Sequence, residues 1–122
     1  MRFAAETYLQ RGAFAEMEGV LAGMVLIEPG DPWAHAALGF ARHRQGKLAA
    51  AEEAYERALE LCCETDTVTA VNLVAVYILQ GKTDQAVERL TRVVASGDHR
   101  PDVEEAIRRL ERSLDQLEAR SG

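Results

Sequence analysis

The side chains that ordinarily carry chemistry are few and scattered in this sequence. Ser96, Ser113 and Ser121 are its only serines, all toward the C-terminal end. None stands in the sharp strand-to-helix pattern that exposes a nucleophilic hydroxyl. No glycine-rich phosphate loop is present. His35 and His43 lie eight residues apart; on one helix that is about 12 Å along the axis, too far to share a metal ion. His99 falls in a polar break with no obvious partner. Cys62 and Cys63 are adjacent, so they cannot staple distant segments, and nothing in them implies an oxidising compartment. A redox switch is one reading of the pair; buried thiols at a helix end is the commoner one. The carboxylates are spread along helix exteriors, the ordinary solvated pattern. These residues predict a chain that is not an enzyme and uses no cofactor or metal, which leaves binding as its work.

The elements that would position a binding site are helical. Apolar residues recur every three to four positions rather than every two. Glycine 12, glycine 46 and glycine 81 each separate two such stretches, at spacings of 34 and 35 residues. Aligned on these glycines, Leu38 matches Leu73, Leu21 matches Tyr55 and Leu90, and Met24 matches Ala58 and Val93. Tyr8 matches Tyr77, with Arg42 as the exception between them. Ala51 and Ala86 are small where two helices must approach, and Met17 takes that place in the first copy. Asp31-Pro32 reads as an N-cap followed by proline at the first helical position, and Thr83-Asp84 opens another helix. The predicted helices run over about 1–11, 14–27, 32–45, 48–62, 67–80, 84–96 and 101–119. One extra residue around "CCETD" accounts for the longer second spacing.

The chain of 122 residues is long enough to bury one core without disulfides. Its net charge of −6 repels phosphate backbones and anionic lipid, which argues against a nucleic-acid or membrane-surface role. No stretch approaches the ~20 apolar residues of a bilayer span. The N-terminal "MRFAAETYLQRGAF" has no apolar core between its charges, so it is not read as a secretory signal. A cytoplasmic location is expected.

A 34-residue unit of two helices joined by a glycine turn resembles the tetratricopeptide repeat. The expected fold is an all-α solenoid of three helix pairs plus a C-terminal capping helix, forming a single domain over 1–122. Its repeats would span about 1–31, 32–66 and 67–100. Pro29 falls at the family's end-of-repeat proline, while Cys63 and Asp98 replace it in the later copies.

In the final helix Val103, Ile107, Leu110, Leu114 and Leu117 form a narrow apolar stripe, with Glu104–Arg108 and Glu105–Arg109 spaced as i,i+4 pairs. A cap over the last repeat explains this stripe; a coiled-coil seam is the alternative. The first helix has no helix before it to cover Phe3, Ala4 and Leu9, so a homodimer or a bound partner is a candidate cover.

What the resemblance implies about function is a concave groove lined by the first helix of each pair. Carried onto this chain, the family's groove positions are Arg2, Glu6 and Leu9, then Trp33, Ala36, Phe40 and His43, then Val68, Val71, Ala75 and Ile78. The predicted peptide-binding residues are Leu9, Trp33, Ala36, Phe40, His43, Val71, Ala75 and Ile78. The aromatic pair would act as anchors, with alanines leaving room beside them; ordinary core packing is the competing reading for Trp33 and Phe40. The expected partner is a protein or peptide with an apolar segment, extended or helical. The family's carboxylate clamp does not fit: Arg2, Glu6 and Ala37, then Val68 and Asn72, stand at its positions, and a glutamate there repels a carboxylate. The layout also resembles the small tetratricopeptide chaperones of bacterial type III secretion, over "MVLIEPGDPWAHAALGFARHRQGKLAAAEEAYERAL" and "VYILQGKTDQAVERL". Members that bind translocators carry additional N-terminal helical sequence that this chain lacks. A generic scaffold and a self-associating structural module are the alternatives.

Overall fold

The structure, a computed structural model, describes residues 2–121. Among them are seven α-helices and no strand: α1 (Arg2–Arg11), α2 (Phe14–Ile27), α3 (Pro32–Arg44), α4 (Leu48–Leu61), α5 (Thr67–Leu79), α6 (Thr83–Ala95) and α7 (Pro101–Ser121). This is the predicted series of three helix pairs and a terminal helix, with ends shifted by one or two residues.

The three glycine turns are copies of one another. Gly12, Gly46 and Gly81 have φ of 69°, 78° and 75°, a left-handed conformation that costs glycine no Cβ clash. In each, the N–H of the next residue reaches back to a carbonyl five residues earlier at 2.9 Å: Ala13 to Tyr8, Lys47 to Arg42, Lys82 to Tyr77. That is the double-bonded helix stop in which a left-handed residue lets two orphan carbonyls find donors. α4 ends the same way without a glycine. Glu64 N–H bonds Leu59 O at 2.9 Å, while Cys63 (φ 55°) and Glu64 (φ 66°) take the left-handed conformation. Here lies the extra residue of the longer spacing, and here the helix stops at Leu61.

The chain divides into two compact units, one ending at Thr65 and the other starting at Asp66. In the first, Ala5, Met17, Leu21, Leu38, Ala41 and Ala54 form the core, and Tyr8, Phe14, Trp33 and Phe40 pack against it half-buried. α3 lies especially close to α4. A Cβ on Gly39 would stand 2.6 Å from Cδ1 of Tyr55, so only glycine admits the Tyr55 ring. Arg42, the exception in the tyrosine position, is held by polar contacts instead. It donates to Glu18 Oε2 of α2 at 3.3 Å and to Ala50 O at 3.1 Å. Glu18 also accepts from Gln45 Nε2 at 2.9 Å and Lys47 Nζ at 2.8 Å. Chiefly the Lys47 bond, then that of Gln45, holds the Glu18 carboxyl below its ordinary 4.5. One carboxylate thus ties α2 to the α3–α4 turn.

In the second unit Ala70, Leu73, Val74, Val76, Tyr77, Ala86, Leu90 and Val93 are buried. α7 packs on α5 and α6, burying Val103, Leu110 and Leu114, with Ile107 and Leu117 half-buried. The terminal stripe is therefore a cap within this unit rather than a free seam. The charged pairs expected along α7 give way to another: Glu104 meets His99 at 3.2 Å, not Arg108.

Candidate functional site

α3 begins where Asp31 accepts the Trp33 N–H at 2.9 Å, with Pro32 at the first helical position. Ala34, His35, Leu38, Gly39 and Ala41 are buried, leaving Trp33, Ala36, Phe40 and His43 half-buried on the remaining surface. At 100° per residue, Trp33, Phe40 and Arg44 fall within about 40° of one another, on one stripe of the helix. Each end of that stripe holds an aromatic ring with a guanidinium on it. Arg2 lies over the Trp33 ring, 4.0 Å from its centroid. Arg44 lies over Phe14 at 5.2 Å, and Phe14 meets Phe40 edge to face at 5.9 Å. Neither guanidinium has a carboxylate partner among the described residues.

His43 closes the face toward α4. Its Nδ1 is 3.3 Å from the Tyr55 hydroxyl, and the two rings stand at 90°. Burial, and then the nearby Arg44 charge, pushes the His43 pKa below its ordinary 6.5. Burial raises that of Tyr55. The hydroxyl therefore stays protonated, and the imidazole beside it favours the neutral form. In the second unit, Asp66 caps α5 by accepting from Thr69 N–H at 3.1 Å and Thr69 Oγ1 at 2.6 Å. Val71, Ala75 and Ile78 share one face of that helix, half-buried, and Val68 is exposed. Leu9 on α1 is exposed.

Trp33, Ala36, Phe40 and His43 thus share the α3 surface, and Val71, Ala75 and Ile78 share that of α5. The family positions did not include Phe14 and Arg44, yet both belong to the α3 face. Arg44 was findable, because it lies eleven residues, three helical turns, after Trp33. Phe14 was not, since it reaches α3 only through tertiary packing.

Concavities elsewhere have other linings. One of about 460 Å³ in the first unit is bounded by Val25, His35, Leu38, Glu53, Glu56 and Glu60, among others. Another of about 470 Å³ lies between α6 and α7, lined by Val87, Leu90, Thr91, Val94, Ala95, Glu111 and Leu114. His35 is buried and its Nε2 donates to the Pro29 carbonyl at 2.8 Å, which pins the end-of-repeat turn to α3. The expectation of buried cysteines is corrected: Cys62 is half-buried and Cys63 is exposed, because the left-handed turn carries Cys63 out of the helix. Among the described residues no three His, Cys, Asp or Glu side chains cluster to hold a metal ion, and no helix is long and apolar enough to cross a membrane.

Comparison with known proteins agrees with this architecture. The tetratricopeptide repeat model matches residues 30–96, more than half of the chain, and the chain belongs to that family. Its all-α repeat solenoid is similar to several solved structures. One is the Yersinia enterocolitica type III secretion chaperone SycD in complex with a peptide of the translocator YopD. That match has 15% identity and a TM-score of 0.83, covering 98% of this chain and 90% of that one. Another is PcrH in complex with the chaperone binding region of PopD, with 16% identity, a TM-score of 0.82, and coverage of 99% and 90%. The first tetratricopeptide domain of human RPAP3 is comparably alike, at 19% identity, a TM-score of 0.81, and coverage of 95% and 91%. At such identities the likeness concerns the fold. Among curated proteins, none matches this sequence.

Proposed function

We propose that this chain is a protein-binding module, working as a single domain over 1–122, that holds an apolar segment of a partner on the outward faces of its first helices. The observation that carries the reading is the α3 surface. Two large aromatic side chains, Trp33 and Phe40, pack against the core of the first unit yet stay half-buried, with Ala36 between them. Rigid aromatic anchors beside small residues are what an energetic centre of an interface requires. His43 extends that surface. Val71, Ala75 and Ile78 give α5 an aliphatic face of its own, and Leu9 offers exposed apolar area on α1.

The specific role we propose is that of a small cytoplasmic chaperone of the secretion type, which keeps an aggregation-prone export substrate soluble. Its support is the likeness in fold to SycD and PcrH, both solved with peptides of the proteins they bind. The alternatives are a scaffold with several partners and a self-associating module.

The test is a pull-down from native lysate with wild type and a Phe40→Glu, Ile78→Glu double variant that circular dichroism shows to be helical. Because Phe40 also packs on Phe14, Ala36→Arg serves as a second variant that blocks the face without removing a ring. One dominant apolar partner, captured by wild type and lost by both variants, is the expected result. Several partners would favour the scaffold. Equal capture by all three proteins would refute binding on these faces.

A further inference from the structure

The α3 face carries more information about its occupant than apolarity. The two stacks at its ends, Arg2 on Trp33 and Arg44 on Phe14, place positive charge at both ends of an apolar stripe. The protein as a whole is acidic, with net charge −6, yet neither guanidinium is paired with a carboxylate among the described residues. Arg42, Arg57, Arg92 and Arg100 have acidic partners; what sets Arg2 and Arg44 apart from the other arginines without one is the aromatic ring each lies over. Stacking on an aromatic ring fixes the plane of a guanidinium, while its N–H donors point outward in that plane. A carboxylate can then approach edge-on and accept two hydrogen bonds without displacing the ring.

We infer that the segment held on the α3 face is an apolar stretch with an acidic side chain at each end, one received by Arg2 and the other by Arg44. This rests on the reading of that face as a binding surface and specifies its ligand. Trp33 and Arg44 are eleven residues apart, about 16 Å along the helix. An extended chain advances about 3.3 Å per residue, so the two acids stand roughly five positions apart. The intervening side chains meet Trp33, Ala36 and Phe40.

The probe is an array of synthetic nonapeptides, tethered by the C-terminus and acetylated at the N-terminus, so that only side chains supply carboxylates. It is read with the labelled full-length chain as wild type, as Arg2→Gln/Arg44→Gln, as Arg2→Lys/Arg44→Lys and as Phe40→Glu. Wild type should select apolar peptides enriched in Asp or Glu at two positions four to six apart. The glutamine variant should keep the apolar selection and lose the acidic one. Binding of the best peptides should fall roughly two- to fivefold per arginine, the range for exposed ion pairs. The lysine variant should recover part of that loss, having the charge without the planar fork. Apolar peptides selected with no acidic preference, or an acidic preference that survives the glutamine variant, would overturn this inference and leave the binding face standing. Equal binding by wild type and Phe40→Glu, with no apolar selection, would remove the binding face itself and this inference with it.

Discussion

The second and third repeats stop their first helices with the same turn, yet they fill the space behind it in opposite ways. In the α3–α4 pair a glycine, Gly39, faces a tyrosine, Tyr55, close enough that a Cβ would intrude on the ring. At the matching positions of the α5–α6 pair stand Val74 and Leu90, both buried. Arg42 and Tyr77 differ likewise: the first is tied to Glu18 at 3.3 Å, whereas the second is buried. The outward faces follow suit, aromatic and cationic on α3, aliphatic on α5. The repeat fixes where backbones run and where volume is needed; it leaves open which partner supplies the volume, so neighbouring repeats can diverge in surface chemistry over a common frame.

The sharpest way to break that comparison is to exchange the two solutions. Gly39→Val should destabilise the protein by about 3 kcal/mol in urea unfolding, at the upper end for overpacking a closed site. Adding Tyr55→Leu, to copy the third repeat, should recover enough to show a coupling of about 1 kcal/mol or more. Strictly additive losses would mean that the two residues do not share one space.

Replacing Glu18 by Gln should cost about 1–2 kcal/mol, because Arg42, Gln45 and Lys47 lose a common charged acceptor. The Glu18 pKa is lowered in the folded protein. Its stabilisation is therefore complete above the unfolded value near 4.5 and lost as pH falls through the folded value. The variant should lack this part of the acid transition. Unchanged pH profiles would show that the cluster contributes nothing net.

The left-handed positions allow a smaller exchange. Cys63→Gly should stabilise by about 1 kcal/mol, relieving a Cβ clash, and Gly46→Ala should lose a similar amount at the equivalent stop of α3. Equal melting temperatures for wild type and Cys63→Gly would contradict that account.

The smallest effect concerns His43. Its pKa is lowered, so the fold prefers the neutral ring: stability is full above pH 6.5 and declines as pH falls through the folded value. Between pH 7 and 5, wild type should lose less than about 1 kcal/mol relative to His43→Gln, since the ring is only half-buried. A loss of the same size in both proteins would clear His43 of the effect.

Much of the fold was legible because its signals are local. Gly12, Gly46 and Gly81 mark stops that only a left-handed residue can make, and Asp31-Pro32 caps α3 through a side chain two residues from its donor. Leu21, Leu38, Leu73 and Leu90 align by period and are all buried. Less legible were features that join distant positions. The exposure of Cys63 depends on a non-glycine residue taking a glycine conformation, which no composition rule anticipates. Glu18, which holds Arg42 at the position where the other repeats carry tyrosine, comes from α2, 24 residues away. In the candidate face, Trp33 and Phe40 were findable from the repeat. Arg2 too stood at a groove position, but its stacking on Trp33, like that of Phe14 against Phe40, arises only when α1, α2 and α3 meet.

The sequence by itself determined the helices, their stops and the family, because periodicity, capping and glycine turns act over a few residues. Tertiary structure decided which side chains share a space: Gly39 with Tyr55, Glu18 with Arg42, Arg2 with Trp33. These pairings depend on contacts between helices distant in sequence, and a repeat pattern specifies the spacing of such contacts without specifying their chemistry.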